Sequence, residues 1–104
     1  MCTAISERGK YHLFGRTLDL ERSYFESVVI APRKFSFGFR YEESIERHSA
    51  IIGIAHVSEG VPLYYDAMNE QGLSIAGLNF PGNACYFDPK PSHFNIAPFE
   101  LIPW

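Results

Sequence analysis

MCTAISERGKYHLFGRTLD, residues 1–19, places a cysteine directly after the initiator methionine. Met1 is commonly removed when the next residue is small, and the chain would then begin with Cys2, which would carry both a thiol and a free α-amino group. The thiolate is the nucleophilic form of cysteine, and an α-amine titrates at about pH 7.7–8.0 in model peptides. The unprotonated amine can therefore accept the thiol proton near neutrality, so that one residue supplies a nucleophile and its base.

The same stretch predicts a β-hairpin that brings a positive charge to this thiol. Two segments rich in β-forming residues flank a loop that contains a glycine: residues 2–7, the loop 8–10 and residues 11–16. With this three-residue loop, Cys2 lies opposite Arg16 on one face, with Cβ atoms about 5 Å apart. A two-residue loop would place Gly15 opposite the cysteine instead. In either register the guanidinium lies near the sulfur and favours the thiolate.

Asp19 lies three residues after Arg16 and cannot share its face if the strand continues. We therefore expect the strand to end before Asp19 and the chain to bend, so that the carboxylate points back to the amine of Cys2. In this hypothesis the cysteine is the nucleophile, the arginine its charge partner and the aspartate the group that orients the amine. The alternative is an ordinary terminal cysteine beside a surface ion pair, which contributes little.

A second hairpin is predicted further along the chain, from residues 62–68 and 73–80. The four residues between these segments, NEQG, contain the asparagine and glycine that suit a tight reversal. If this loop is symmetric, Asn79 falls opposite Pro62 at the open end of the hairpin, where a polar side chain can reach a neighbouring site. The residues alone also allow Asn79 to be an ordinary strand-end or turn residue.

Two more strands are predicted from short apolar runs at 26–31 and 49–57, and the second should lie centrally in a sheet. Between them, residues 33–47 suggest a ribbon that ends in a charged loop. Its aromatic side chains recur at every second position and either face the core or form a wall for an acyl group: Phe35, Phe37, Phe39 and Tyr41. Near the end of the chain, Asn95 is expected to cap a helix.

The composition argues against several classes of protein. The chain has 104 residues and a net charge of −3, and its nine Lys and Arg residues form no run, which argues against nucleic acid or an anionic membrane as a partner. No apolar run approaches the roughly 18 residues of a membrane-spanning helix, and no signal segment is seen at the start. We therefore expect a soluble, cytoplasmic protein with the size and composition of one globular domain.

The reactive side chains show no metal or cofactor pattern. Cys2 and Cys85 are the only cysteines and lack CxxC spacing, and the four histidines are scattered. His12 shares the predicted face of Arg16, but four strand residues separate them by roughly 13 Å, which is too far for a Cys–His pair. Nucleotide-binding and serine hydrolase motifs are absent. We predict no metal and no cofactor.

Four segments together resemble the choloylglycine hydrolase family, the bile salt hydrolases and penicillin V acylases among the N-terminal nucleophile hydrolases. They are MCTAISE (1–7), HLFGRTLD (12–19), APRKF (31–35) and DAMNEQGLSIAGLNFPG (66–82). The resemblance implies amide hydrolysis through a thioester, with Cys2 matching the family nucleophile. Arg16 and Asp19 match its active-site arginine and aspartate, and Asn79 matches an asparagine of its oxyanion site.

The resemblance also implies an α+β fold, with residues 1–104 as the N-terminal portion of one αββα sandwich and mostly antiparallel β structure in this segment. Family members are much longer and take a further active-site asparagine and arginine from the part that follows. The implied partner is a small-molecule amide, and the full-length protein is expected to be a homo-oligomer.

For the substrate, the resemblance implies conjugated bile salts, with penicillin V or another N-acyl amide as the alternative. Asn79 in place of an aromatic residue favours the bile-salt branch, and Leu18 is expected to line the acyl pocket. A different class of interpretation is a non-catalytic β-rich remnant that keeps family residues without their chemistry.

Overall fold

Two antiparallel sheets make up the computed structural model, which describes residues 2–104. Removal of Met1, on which the free amine of Cys2 depends, lies outside the described residues. The strands are β1 (Ala4–Arg8), β2 (His12–Arg16), β3 (Ser27–Ala31), β4 (Ile51–Ser58), β5 (Val61–Asn69) and β6 (Ser74–Ala76). The strands β1 and β2 form one sheet, and the other four form a second sheet in the order β3-β4-β5-β6. Residues 2–104 include one short 3₁₀ helix, Pro98–Glu100, and no helix long enough to cross a bilayer.

The first hairpin forms as expected, but its predicted register is wrong by two residues. Ala4, not Cys2, pairs with Arg16, and the innermost pair joins Arg8 to His12. The loop therefore consists of residues 9–11 rather than 8–10. Arg8 extends the first strand, while Gly9 takes the first loop position, and its N–H donates to the carbonyl of Tyr11 at 3.0 Å.

Cys2 consequently lies before the start of β1 and is opposite neither Arg16 nor Gly15. The hairpin nevertheless continues beyond the two strands by one residue pair, Thr3 and Thr17. The N–H of Thr17 donates to the carbonyl of Thr3 at 2.8 Å, and the N–H of Thr3 donates to Thr17 Oγ1 at 3.0 Å. Both the N–H and the carbonyl of Thr3 are therefore bonded to Thr17, and this keeps the adjacent Cys2 close to the end of β2.

The strand β4 occupies an interior position between β3 and β5, which confirms the prediction for the apolar run at 49–57. It continues into β5 through the two residues Glu59 and Gly60, because Ser58 pairs directly with Val61. Both loop residues have positive φ, 51° and 81°, which is typical of the type I′ turn in a two-residue hairpin.

A β-bulge in β5 decides which way two of its side chains point. Ile54 pairs with Asp66 and Ala55 pairs with Tyr64, so Tyr65 is an extra residue without a partner in β4. In a regular strand Tyr64 and Asp66 would share a face, because side chains alternate. With the bulge, Tyr64 turns into the core, where it is only 2% exposed, and Asp66 points to the opposite face.

The second hairpin also forms, with a register one residue away from the predicted one. Asp66 pairs with Ala76, and β6 ends there, three residues before Asn79. The pairing of Asn79 with Pro62 is therefore wrong. The loop is shortened to residues 70–72 because the side chain of Asn69 accepts hydrogen bonds from two backbone N–H groups beyond it, at 3.0 Å each.

The core lies on one face of the four-stranded sheet and contains Phe37, which is 1% exposed. Phe35 and Phe39 pack against it, whereas Tyr41 is 47% exposed. The core interpretation is thus correct for Phe35, Phe37 and Phe39 but not for Tyr41, and the buried ring of Phe37 is not available as a wall for an acyl group. Residues 33–47 do not form a ribbon either, because only Phe37 and Ile45 are bridged through their backbones.

The predicted helix cap at Asn95 is also wrong. The 3₁₀ helix begins later, at Pro98, and Ala97 precedes it. Proline favours a first helical position because its φ is already helical and no hydrogen bond is lost there. The carboxamide of Asn95 is used elsewhere: it accepts from the N–H of Lys90 and donates to the carbonyls of Lys90 and His93.

Candidate active site

One pocket, with a volume of about 550 Å³, opens where the end of the first hairpin meets the end of β6. All five residues singled out from the sequence contribute to its wall: Cys2, Arg16, Leu18, Asp19 and Asn79. They come from three separate places in the chain, namely the N-terminus, the exit from β2 and the segment that follows β6. The fold therefore brings the predicted group together even though both predicted hairpin registers were wrong.

Cys2 is half-buried, and its surroundings lower the pKa of its thiol below the ordinary value. The largest cause is a hydrogen bond from the backbone N–H of Asp19, and partial burial works against it. The backbone N–H of Asn79 and the positive charge of Arg16 lower the pKa further, whereas the carboxylate of Asp19 raises it. Two N–H dipoles and one cation thus favour the thiolate, which is the nucleophilic form.

Asp19 lies beyond the end of β2, as the sequence analysis required, because the strand stops at Arg16. Its backbone and its side chain act on the sulfur in opposite directions. The contact of its carboxylate with the Cys2 amine stays a prediction.

Asn79 belongs to the exposed segment that follows β6. The sequence left open whether its backbone or its side chain would act as a donor. Its backbone N–H is one of the groups that lower the pKa of the Cys2 thiol, and its role as an oxyanion donor stays a prediction.

Arg16 is the last residue of β2, and its side chain is only 6% exposed. The guanidinium donates from one terminal nitrogen to Asp66 Oδ2 at 3.3 Å and from the other to the carbonyl of Gly77 at 2.7 Å. Its Nε is buried and has no hydrogen-bond partner within residues 2–104. The side chain is therefore fixed by acceptors from β5 and from the residue after β6.

Asp66 was missed by the sequence analysis. It carries a charge in the middle of β5, whose sequence, VPLYYDAMN, is otherwise uncharged. A carboxylate in a half-buried strand requires a partner, because the burial of an unpaired charge is costly. The sequence could therefore have indicated that Asp66 has a cationic partner. Only the bulge and the packing of the two sheets show that this partner is Arg16.

The rest of the pocket wall is largely apolar. Tyr65, the extra residue of the bulge, packs edge-to-face on Phe99, with ring centroids 5.9 Å apart. Further apolar side chains are contributed by Leu18, Ile75, Leu78, Phe80 and Leu101. The pocket thus has a polar end at the sulfur and an apolar remainder, which suits an apolar acyl group bonded to a polar amine.

The histidines and carboxylates form no metal site within the described part of the chain. His12 contributes nothing to the pocket wall. Its Nε2 instead makes a 2.9 Å hydrogen bond with the hydroxyl of Ser6 across the first hairpin.

Comparisons with known proteins show which family this chain resembles. A model of the linear amide C–N hydrolases, choloylglycine hydrolase family, matches residues 2–104. A bile salt hydrolase/transferase from Lactiplantibacillus plantarum is 55% identical over 104 residues, which are 100% of this chain and 32% of the relative. A conjugated bile acid hydrolase from Lactobacillus gasseri is 38% identical over 108 residues, covering 100% of this chain and 34% of the relative.

The structural match is with the C2A mutant of a conjugated bile acid hydrolase from Clostridium perfringens. The TM-score is 0.88 at 31% identity, over 100% of this chain and 33% of the matched chain. Together with the six antiparallel strands, this match confirms the predicted fold class, the mostly antiparallel N-terminal part of an αββα sandwich. The chain spans about a third of the length of these relatives.

Proposed function

The chain belongs to the choloylglycine hydrolase family of linear amide C–N hydrolases, and on this basis we propose that the protein hydrolyses the amide bond of conjugated bile salts. The products are the bile acid and glycine or taurine. The observation that carries the proposal is that Cys2, Arg16, Asp19 and Asn79 line one largely apolar pocket. There, two backbone N–H groups and the charge of Arg16 lower the pKa of the Cys2 thiol.

In the proposed reaction, the Cys2 thiolate attacks the amide carbonyl carbon, and a C–S bond forms. The negative charge that develops on the carbonyl oxygen is stabilised by nearby N–H donors, for which Asn79 is the candidate. The C–N bond then breaks, and the Cys2 amine passes the thiol proton to the leaving nitrogen. Water hydrolyses the thioester in a second step, which releases the acid and restores the thiol.

Each remaining site residue has a role in this proposal. Arg16 favours the thiolate through its positive charge, and the carboxylate of Asp19 orients the amine that moves the proton. Leu18 contacts the apolar acyl group. A proton-transferring amine requires removal of Met1, so the processed chain start is part of the hypothesis.

Conjugated bile salts are preferred over penicillin V because the relatives that match this chain are named as bile salt or bile acid hydrolases. The steroid part of such a substrate also suits an apolar pocket wall.

Cytoplasmic location, homo-oligomeric assembly and the interpretation of residues 1–104 as one N-terminal domain portion belong to the same proposal. Reading the gene for a further active-site asparagine and arginine beyond Trp104 tests the last point.

The proposal is tested with the protein expressed from its intact gene. Release of glycine or taurine from conjugated bile salts is compared with release of phenoxyacetate from penicillin V, and Cys2→Ala is the control. We expect faster turnover of bile salts and no turnover by the variant. Faster cleavage of penicillin V would overturn the substrate, and activity that survives in Cys2→Ala would overturn the nucleophile.

Incubation with an activated acyl compound tests the chemistry without a natural substrate. Intact mass should show one acyl adduct, located on Cys2, in a chain that lacks Met1. A chain that remains unmodified would favour the non-catalytic remnant instead.

A further inference from the structure

The ion pair between Arg16 and Asp66 connects the two sheets of the molecule. Arg16 ends β2 in the first sheet, and Asp66 lies in β5 of the second. Their side chains are 6% and 14% exposed, so the pair is largely shielded from water. Asp66 itself is not part of the pocket wall, whereas Arg16 is.

The carboxylate of Asp66 is itself held in place. One oxygen accepts the N–H of Ile54 from β4 at 3.3 Å, and the other accepts from the guanidinium at 3.3 Å. The bulge at Tyr65 is what turns Asp66 to this face of the sheet. The orientation of the carboxylate is therefore built into the backbone of the sheet.

An arginine side chain has large rotamer freedom and will turn toward water unless its donors are engaged. For Arg16 two acceptors engage it, the carboxylate of Asp66 and the carbonyl of Gly77. Of these, only Asp66 carries a charge, and an isolated cation in a site this shielded is unfavourable. Without the carboxylate, the guanidinium would lose the interaction that keeps it at the Cys2 end of the pocket.

We propose that Asp66 is a positioning residue for the reaction: it holds the guanidinium of Arg16 beside the sulfur of Cys2. The inference rests on the proposed function, since it assigns Asp66 a role through the cysteine nucleophile. The competing interpretation is that Asp66 serves only to join the two sheets. The two interpretations differ in whether the reactivity of the sulfur depends on Asp66 in a folded protein.

The test is the rate at which iodoacetamide alkylates Cys2 as a function of pH, measured on the protein from its intact gene. Adduct formation at Cys2 is followed by peptide mass, and Cys85, which is exposed, is replaced by Ser in all variants. For Asp66→Ala we expect the midpoint of the profile to move to higher pH, with alkylation near neutrality slower than in the wild type. Asp66→Asn keeps an acceptor oxygen, and its midpoint should lie between those of the wild type and Asp66→Ala.

A matched control is available at the end of the same strand. Glu70 follows β5 and pairs with Arg33 at 2.6 Å on the surface, away from the pocket. Glu70→Gln removes a carboxylate–guanidinium pair of the same kind and should leave the alkylation profile unchanged. Far-ultraviolet circular dichroism selects the variants that are folded; if Asp66→Ala is not, Asp66→Asn against Glu70→Gln decides the matter.

Measuring amide hydrolysis alongside alkylation shows whether the positioning role or the proposed function has failed. In Asp66→Ala, kcat for the conjugated bile salt should fall about tenfold, with a much smaller change in KM, because the acyl pocket is untouched. A folded Asp66 variant with the wild-type alkylation profile overturns the positioning role, even if bile salts are hydrolysed. If the wild type does not hydrolyse bile salts but the profile still shifts, the proposed function fails and the positioning role stands.

Discussion

The pKa of the Cys2 thiol is lowered more by backbone N–H groups than by side chains. The N–H of Asp19 has the largest effect on the thiol pKa, and the carboxylate of the same residue opposes it. A substitution that removes only the carboxylate therefore separates the two contributions.

The first prediction concerns Asp19→Asn. Because the variant keeps the N–H and loses the negative charge, the pKa of the Cys2 thiol should fall further, and alkylation should persist to lower pH than in the wild type. Amide hydrolysis should nevertheless decrease by at least about tenfold, because the proposed orientation of the Cys2 amine is lost. Parallel losses of alkylation and hydrolysis would contradict this assignment.

The individual site residues could be predicted for different reasons. Cys2 became a candidate because only a chain start can combine a thiol with an amine, although its position alone also fits an ordinary terminal residue. Arg16, Asp19 and Asn79 became candidates through hairpin geometry and family resemblance together. Asp66 was not predicted because its pairing with Arg16 depends on a bulge, and no local sequence pattern of β5 predicts where the extra residue is inserted.

The strands show how far turn chemistry determines a register. Both hairpins around the site were predicted from Gly-containing loops, and both occur. Their registers were wrong because residues at the loop boundaries belong equally well to strand or loop; in the first hairpin Arg8 joins the strand and Tyr11 joins the loop, which shifts the register by two. Arg8 extends β1 by one residue, and the side chain of Asn69 shortens the second loop by accepting two backbone N–H groups.

The loop that leads from β3 to β4 is held by the surface pair of Arg33 and Glu70. Glu70 accepts two bonds from the guanidinium and one from the N–H of Ala50. The hydrogen bonds from Arg33, followed by that from Ala50, lower the pKa of Glu70 to about 2, well below its ordinary value. The ion pair therefore attaches the loop to the end of β5.

The second prediction is that Glu70→Gln reduces stability in a pH-dependent way. A carboxylate with a lowered pKa stabilises the folded state above its unfolded pKa, and this contribution is lost as pH falls toward the folded value of about 2. The difference in urea midpoint between wild type and variant should thus be largest above about pH 4.5 and should shrink toward pH 2. A difference that is constant over this range would rule out the ion pair as its source.

The whole molecule depends on a small core, whose largest fully buried side chains are Tyr64 and Phe37. The ring of Phe37 contacts Phe35 at a centroid distance of 4.8 Å and His48 at 4.9 Å. It thereby fixes an irregular segment against the four-stranded sheet that carries half of the site. The sequence indicated that this aromatic series was either core or pocket wall, and only the packing decides between them.

The third prediction is that Phe37→Ala destabilises the fold by about 3–5 kcal/mol, as expected for removal of a buried aromatic side chain. Tyr41→Ala, from the same aromatic series but at an exposed position, should change stability by less than about 0.5 kcal/mol. Chemical denaturation of both variants measures the difference. Equal losses in the two would contradict the assignment of Phe37 to the core.

The central claim is that the fold makes Cys2 an activated nucleophile, and the pH profile of its alkylation in the wild-type protein tests this most directly. With adduct formation located by peptide mass, the midpoint for Cys2 should lie clearly below that of a free cysteine, which titrates near pH 8.5 in model peptides. A midpoint at or above that of the free amino acid would contradict the claim, because the two N–H groups and the guanidinium would then not be acting on the sulfur.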